Sequence, residues 1–218
     1  MLCNGTFVGC IMYADDLVVL SVSVSGLQSL LDCCYQVSVT LMLTFNCLKS
    51  SYSVVGPASE VNISKMQLGS ISIEWTSSFK YLGVVFNAGR KLSVDTDAIK
   101  RKFYTACNCL LGNTYSLNEI LRINLHSSYC LPILQYATAA VELTKAHISE
   151  LNACWDFVYR KFVGFYKHES VRSLIYGLGR LDFCHIRLLL VYKLIIKSLA
   201  GTCYINKFSA LVYAFEGI

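Results

Sequence analysis

The sequence predicts an α+β chain in which a β-rich half precedes a helical half. Up to residue 90, short β-prone runs alternate with Gly, Pro and Asn turns and with one amphipathic helix. From residue 95 onward, apolar residues recur at gaps of three and four, which is the helical period. The 218 residues are 55% hydrophobic and only 15% charged, which excludes a disordered chain. We therefore expect two domains, residues 1–90 and residues 95–218.

The first expected element is a β-hairpin within residues 6–24. Residues 6–13 form its first arm, Ala14-Asp15-Asp16 form a tight turn, and residues 17–20 return as the second arm. Because both arms are almost continuously apolar, we expect both faces of the hairpin to be covered. A helix over about residues 26–43 should follow with Ser25 as its N-cap. Its buried face should comprise Leu27, Leu30, Leu31, Cys34 and either Val37 or Ser38.

The remaining elements follow from the same two periods. Strands are expected at residues 51–55, 66–68, 71–75 and 79–86, with Gly- and Asn-containing turns between them. In the second half, Thr144 is the predicted N-cap of a helix. One apolar stripe of that helix consists of Ile148, Leu151, Trp155, Val158, Phe162 and Phe165. Arg160 and Lys161 lie off the stripe, so they should face solvent.

The mean hydropathy of +0.49 raises the question of a membrane-spanning segment. Such a segment needs about 20 apolar residues with almost no charge. The most apolar helical stretch, residues 181–200, contains Asp182, His185, Arg187, Lys193 and Lys197. We therefore expect a packed amphipathic helix there and no membrane partner. No Lys or Arg precedes Lys49, so a signal peptide is not expected either, and the predicted location is intracellular, nuclear or cytoplasmic.

Eleven cysteines suggest three readings, namely disulfides, a zinc site or buried free thiols. The count is odd, no secretion signal is visible, and several cysteines lie inside apolar periodic stretches, which argues against disulfides. Zinc is the sharper alternative, but the candidates do not form two ligand pairs at zinc-finger spacing. Those candidates are Cys107, Cys109, Cys130, Cys184 and His185. Free cysteines that pack as small apolar residues are therefore favoured.

The adjacent carboxylates of Asp15 and Asp16 are the most informative feature of the sequence. Like charges at neighbouring positions repel, and an ordinary hairpin turn more often uses Asp-Gly or Asn-Gly. A divalent cation removes this repulsion, and carboxylate oxygens are the ligands that Mg²⁺ prefers. The pair therefore favours a metal site over a merely solvated acidic turn.

The charge distribution is consistent with that interpretation. Residues 1–48 contain three Asp and no Lys or Arg, although the whole chain has a net charge of +5. Residues 157–197 contain eight basic and two acidic residues. An acidic focus followed by a basic helical region suits a metal site joined to a phosphate-binding surface. An ordinary solvated helix face is the alternative.

Residues 7–20, FVGCIMYADDLVVL, resemble the catalytic hairpin of reverse transcriptases, particularly those of non-long-terminal-repeat (LINE-type) retrotransposons. Later segments resemble the same family in the same order. Residues 27–31 resemble its palm helix, and Phe45-Asn46 with Lys49-Ser50 resembles its Asn-x-x-Lys-Ser/Thr segment. Residues 79–83, FKYLG, resemble its primer-grip hairpin, and residues 131–163 resemble its thumb helices.

The resemblance implies a partial polymerase palm followed by a thumb, and an RNA-directed DNA polymerase (nucleotidyltransferase) activity. Its partners would be an RNA template, a DNA primer and deoxynucleoside triphosphates. Asp15 and Asp16 would hold Mg²⁺, or Mn²⁺ in its place, and Lys49 would lie near the triphosphate. The residues implied to contact nucleic acid are Tyr13 under the primer end, Tyr81, Leu82 and Gly83 in the grip, and Arg160, Lys161 and Lys167 along the duplex.

Two departures from the family pattern limit the expected activity. In the family, a further carboxylate comes from a strand upstream of the fingers, whereas this sequence has 14 residues ahead of Asp15. In the thumb, residues 137–142, ATAAVE, replace a stretch that usually contains Gly, Glu and Trp. We expect the chain alone to bind duplex weakly without extending a primer. A non-catalytic nucleic-acid-binding remnant and a non-functional relic remain the alternatives.

Overall fold

The computed structural model describes residues 2–3, 6–57 and 65–200. The chain is α+β and divides into two compact units, Met1–Ser93 and Val94–Ile218. Within the described ranges, no helix combines the length and the apolar character needed to cross a bilayer. The predicted helical domain continues to residue 218, and its last part, residues 201–218, lies outside the described residues.

The first unit is built from short strands around one long helix. The elements are β1 (Leu2–Cys3), β2 (Thr6–Phe7), β3 (Cys10–Tyr13), β4 (Asp16–Val19), α1 (Val24–Thr40), β5 (Ser51–Tyr52), β6 (Gln67–Leu68), β7 (Ile71–Ser72), β8 (Glu74–Trp75), β9 (Ser78–Tyr81), β10 (Val84–Asn87) and β11 (Ser93–Val94). Two-stranded ladders pair β1 with β2, β3 with β4 and β6 with β7 in antiparallel fashion, while β5 pairs with β8 in parallel. A three-stranded sheet has the order β11, β10, β9.

Helix α1 begins two residues earlier than the sequence predicted. Ser23 has an extended backbone, and its hydroxyl accepts a hydrogen bond from the Gly26 N–H at 3.1 Å, so Ser23 is the N-cap. The prediction of Ser25 was wrong because that residue already has helical geometry inside the first turn. The helix ends at Thr40, and Met42 then adopts a left-handed backbone with φ of +55°.

The small core of the first unit lies under α1. Met66, Leu68 and Ile73 are buried, and Leu27 and Leu31 of α1 pack against them. The Gln28 side chain fastens α1 to β6, because it donates to the Gln67 carbonyl and accepts from the Gln67 N–H. Near the end of the helix the buried residue is Ser38, while Val37 is exposed, which resolves the alternative left open by the sequence.

The second unit is helical. Its elements are α2 (Thr96–Asn113), α3 (Glu119–Tyr129), α4 (Leu131–Gln135), α5 (Lys145–Val163), α6 (Arg172–Gly177) and α7 (Phe183–Ala200). Side-chain caps begin four of these helices, namely Asp95 for α2, Asn118 for α3, Thr144 for α5 and Asp182 for α7. The prediction of Thr144 is confirmed, since its hydroxyl accepts from the His147 N–H at 3.2 Å.

Helix α5 supplies the largest part of this unit's core. The predicted stripe is confirmed at Leu151, Trp155, Val158 and Phe162, all of which are buried. Phe165 falls outside the helix, because Gly164 adopts a left-handed backbone with φ of +79° and ends it. Each large apolar side chain that is fully buried stabilises the fold by roughly 1.5–3 kcal/mol. Trp155 also donates from Nε1 to the Leu181 carbonyl, so its polar edge is satisfied.

Candidate active site

The paired carboxylates lie at the tip of an antiparallel hairpin, as the sequence predicted. Strands β3 and β4 pair from Cys10 opposite Val19 to Tyr13 opposite Asp16, so the loop consists of Ala14 and Asp15 alone. Ala14 has a left-handed backbone with φ of +49°, a conformation that two-residue hairpin loops require and that Gly adopts more readily. The tight loop therefore places Asp15 and Asp16 side by side at one end of the ladder.

Both carboxylates are exposed to solvent. In the described part of the chain, neither side chain has a hydrogen-bond or ion-pair partner, so all four oxygens are open to a ligand. Exposed carboxylate oxygens fit Mg²⁺, which keeps several waters and takes one or two carboxylates. Among the described residues, no third acidic or other ligand side chain joins this pair to form a cluster. The donor set thus fits a weakly held ion.

The expectation that both faces of the hairpin are covered was wrong. Strand β3 is exposed along its length. The solvent-exposed fraction is 48% for Ile11, 74% for Met12 and 64% for Tyr13. Strand β4 is half-buried after Asp16, because α1 contacts it. The described residues therefore cover β4 more than β3, and the exposed Tyr13 ring flanks the carboxylates.

Lys49 lies in a turn that Asn46 organises. The Lys49 N–H donates to the Asn46 side-chain oxygen at 3.3 Å, and the Ser50 hydroxyl donates to the Asn46 carbonyl at 3.0 Å. The Lys49 side chain is exposed and forms no ion pair with Asp15 or Asp16 in the described part of the chain. The hydrogen bonds to Asn46 therefore fix the backbone of the Asn-x-x-Lys-Ser segment. The Lys49 amine does not form an ion pair with Asp15 or Asp16 in the described part of the chain.

The predicted grip residues lie at a second tight hairpin. Strands β9 and β10 pair up to Tyr81 opposite Val84, which leaves Leu82 and Gly83 as the loop. Both loop residues have a left-handed backbone, with φ of +46° and +81°. The Phe79 and Phe86 rings stack across the strands with centroids 5.6 Å apart. This hairpin belongs to a different sheet from β3 and β4.

The three predicted basic residues lie at the end of α5 and just beyond it, and they differ in their surroundings. Arg160 is half-buried and its Nε donates to the Glu169 carbonyl at 2.9 Å, so the expectation that it faces solvent freely was wrong. Lys161 is exposed, with its amine 5.7 Å from the centre of the Phe157 ring. Lys167 is exposed in the segment that follows the helix. Lys161 and Lys167 are thus accessible to a phosphate, whereas Arg160 holds the segment after the helix.

The structure also shows a buried group that the sequence analysis did not find. Cys107, His126 and Cys130 bring their ligand atoms within 4.8 Å of one another. The sequence offers Cys107 and Cys130 as zinc candidates but favours free apolar thiols, and it does not single out His126. The available signal was the spacing of four between His126 and Cys130, which places both side chains on one face of a helix.

A scan against protein-family models, a search of curated proteins and a search of solved structures each gave no match.

Proposed function

We propose that the chain is a palm-and-thumb part of a LINE-type reverse transcriptase and that it binds a divalent cation and a primer–template duplex. The observation that carries this proposal is the β3–β4 hairpin, which presents Asp15 and Asp16 side by side at an exposed tip between apolar strands. The order of the later segments, from the Lys49 turn to the grip-like loop at residues 82–83, supports the same assignment.

Each residue has a distinct role in this proposal. Asp15 and Asp16 hold Mg²⁺, or Mn²⁺ in its place, and the bound ion would supply charge neutralisation and alignment for nucleotide transfer to a primer 3′-hydroxyl. Tyr13 offers an exposed ring against which the primer end can stack. Lys49 offers a positive charge to the leaving pyrophosphate. Tyr81, Leu82 and Gly83 present backbone at a tight loop, where a nucleic-acid strand can approach closely.

The duplex contacts in this proposal come from the exposed cations of the second unit. Lys161 and Lys167 are free to reach phosphates, and each such contact releases counterions and makes binding salt-sensitive. Arg160 positions the segment that contains Lys167, because its Nε–H donates a hydrogen bond to the Glu169 carbonyl. In the same segment the Glu169 carboxylate accepts from the Tyr166 N–H at 2.6 Å.

Metal binding is tested by titrating the chain with Mn²⁺ and following the electron paramagnetic resonance signal of the free ion. We expect weak binding that Asp15→Asn reduces strongly, because one of the two carboxylates is lost. Asp32→Asn is the matched control, since Asp32 is an exposed carboxylate on α1 that accepts a hydrogen bond from the Gln28 side-chain amide. Equal effects of the two variants would contradict the proposed site.

Duplex binding is tested by measuring the affinity for an RNA–DNA hybrid at several salt concentrations. Replacing Lys161 and Lys167 by Ala should reduce the salt slope by about 1 per lost contact. Lys145→Ala is the control, because Lys145 is an exposed lysine at the opposite end of α5. Absence of binding at low salt would rule out the duplex-binding part of the proposal.

A non-catalytic nucleic-acid-binding function is the second candidate. It is favoured by the lack of a third ligand beside Asp15 and Asp16 among the described residues, since two-metal transfer relies on ions clamped at fixed positions. Primer extension on an RNA template with Mn²⁺ separates the two functions. Extension that Asp15→Asn abolishes supports the polymerase, whereas salt-sensitive binding without extension supports the binder.

A further inference from the structure

The second unit contains a buried cluster of metal-ligand side chains unrelated to the hairpin. Cys107 lies on α2, while His126 and Cys130 lie on α3 and at its C-cap. All three residues have 0% of their surface exposed, and their ligand atoms lie within 4.8 Å of one another. Tetrahedral zinc ligands at the usual bond lengths of about 2.0–2.3 Å stand roughly 3.6–3.8 Å apart. Closing the cluster around an ion therefore needs shifts of about 1 Å or less.

His126 is the residue whose burial demands an explanation. Within the part of the chain that the structure describes, neither of its ring nitrogens has a hydrogen-bond partner, although four aromatic rings surround it. Leaving a buried polar group without a partner costs about 1–3 kcal/mol. Complete burial among aromatic rings disfavours the charged imidazolium. A neutral imidazole with an open nitrogen is the form that binds a metal.

The sulfur atoms complete a soft donor set. The Cys107 and Cys130 sulfur atoms and a His126 ring nitrogen lie within 4.8 Å of one another, so all three can reach one ion. Two thiolates and a neutral imidazole suit Zn²⁺, because both sulfur and imidazole ligands bind this ion well. The resulting centre has no net charge, which favours it in an apolar surrounding.

We propose that Cys107, His126 and Cys130 bind one Zn²⁺ ion that joins α2 to α3. On binding, the two thiols release their protons to solvent and become thiolates, while the imidazole coordinates through a lone pair. The ion gives His126 the partner that its ring nitrogens lack among the described residues. The site stabilises the helical unit and does not depend on the proposed polymerase function.

The first test is metal content and cobalt binding of the full-length chain under reducing conditions. We expect about one zinc per chain by mass spectrometry of the metal, and thiolate–cobalt absorption bands after exchange with Co²⁺. Cys107→Ser and Cys130→Ser should weaken Co²⁺ binding by more than about 100-fold, since residues that merely orient ligands already cost about 10–100-fold. Cys109→Ser is the matched control, because Cys109 is an exposed thiol on the same helix. Equal binding by all three variants would overturn the proposal.

The second test needs no variant and so does not depend on the variants folding. X-ray absorption at the zinc edge of the purified chain should show at least two sulfur ligands at about 2.3 Å and at least one imidazole. Fewer than two sulfur ligands would overturn the proposal. A Cys107–Cys130 disulfide found by peptide mass spectrometry in the chain kept under reducing conditions would overturn it as well, because the sulfurs would then be unable to coordinate.

Discussion

The neutral state of His126 predicts that acid weakens the metal-free second unit. The His126 pKa falls to about 4 in the folded chain, from 6.5 for an exposed histidine, chiefly because burial disfavours the imidazolium. As pH falls from 7 to 4, the unfolded chain therefore takes up a proton that the folded chain resists. The free energy of unfolding attributable to His126 is complete above pH 6.5 and decreases between pH 6.5 and pH 4.

The size of the effect follows from the shift. Each pKa unit corresponds to about 1.4 kcal/mol, so His126 should account for a loss of about 3 kcal/mol between pH 7 and pH 4. No discount for solvent screening applies, because the side chain is fully buried. A loss of this size is a large fraction of the roughly 5–15 kcal/mol that stabilises a typical domain.

The assay is urea unfolding at several pH values in the presence of a chelator, followed by the fluorescence of Trp155. The centroids of the Trp155 and His126 rings lie 4.8 Å apart, so Trp155 reports on the surroundings of His126. The sequence has one other tryptophan, Trp75, and a Trp75→Phe background removes its fluorescence. Asp156 and Asp182 are other titrating groups in this unit, so the comparison is between wild type and His126→Leu. The variant should lack about 3 kcal/mol of the acid sensitivity. Identical pH dependence in the two proteins would refute the reasoning.

Three further predictions test local features of the fold. Ala14→Gly should raise the protection of the β3–β4 amides from hydrogen exchange by about 1 kcal/mol, because Gly adopts the left-handed turn without strain. Ser23→Ala should lower stability to urea by about 1 kcal/mol, whereas Ser25→Ala should leave it nearly unchanged, since only Ser23 caps α1. Trp155→Phe should lower stability by about 2 kcal/mol in urea unfolding followed by circular dichroism, because the Leu181 carbonyl loses its donor.

The features predicted correctly from the sequence are those that depend on neighbours along the chain. Helix α5 follows from Thr144 as a capping residue and from an apolar stripe that continues to Phe162. The tip of the first hairpin follows from two apolar arms that leave only a tight turn between them. In both cases the period and the capping chemistry act within a few residues, so tertiary contacts are not needed to predict them.

The features that were missed depend on contacts between distant parts of the chain. Two serines close together can each cap α1, and only the backbone angles distinguish Ser23 from its neighbour. Cys107 approaches Cys130 because α2 packs against α3, and no spacing in the sequence encodes that packing. The exposure of β3 was not predicted for the same reason. An apolar strand has the same sequence pattern whether or not another element covers it.

The exposure of β3 bears directly on how well Asp15 and Asp16 can serve catalysis. In the described residues β3 pairs only with β4, and a two-stranded ladder by itself is marginally stable. Helix α1 contacts β4, whereas β3 is exposed along its length, so the tip that carries both carboxylates is anchored mainly through one strand. Stabilisation of a transition state depends on charges held in place before the reaction, whereas attraction of a phosphate backbone tolerates movement. Under the proposed function, this hairpin would therefore favour ion and duplex binding over turnover, and stacking of a primer end on exposed Tyr13 would give β3 the cover that the described residues do not provide.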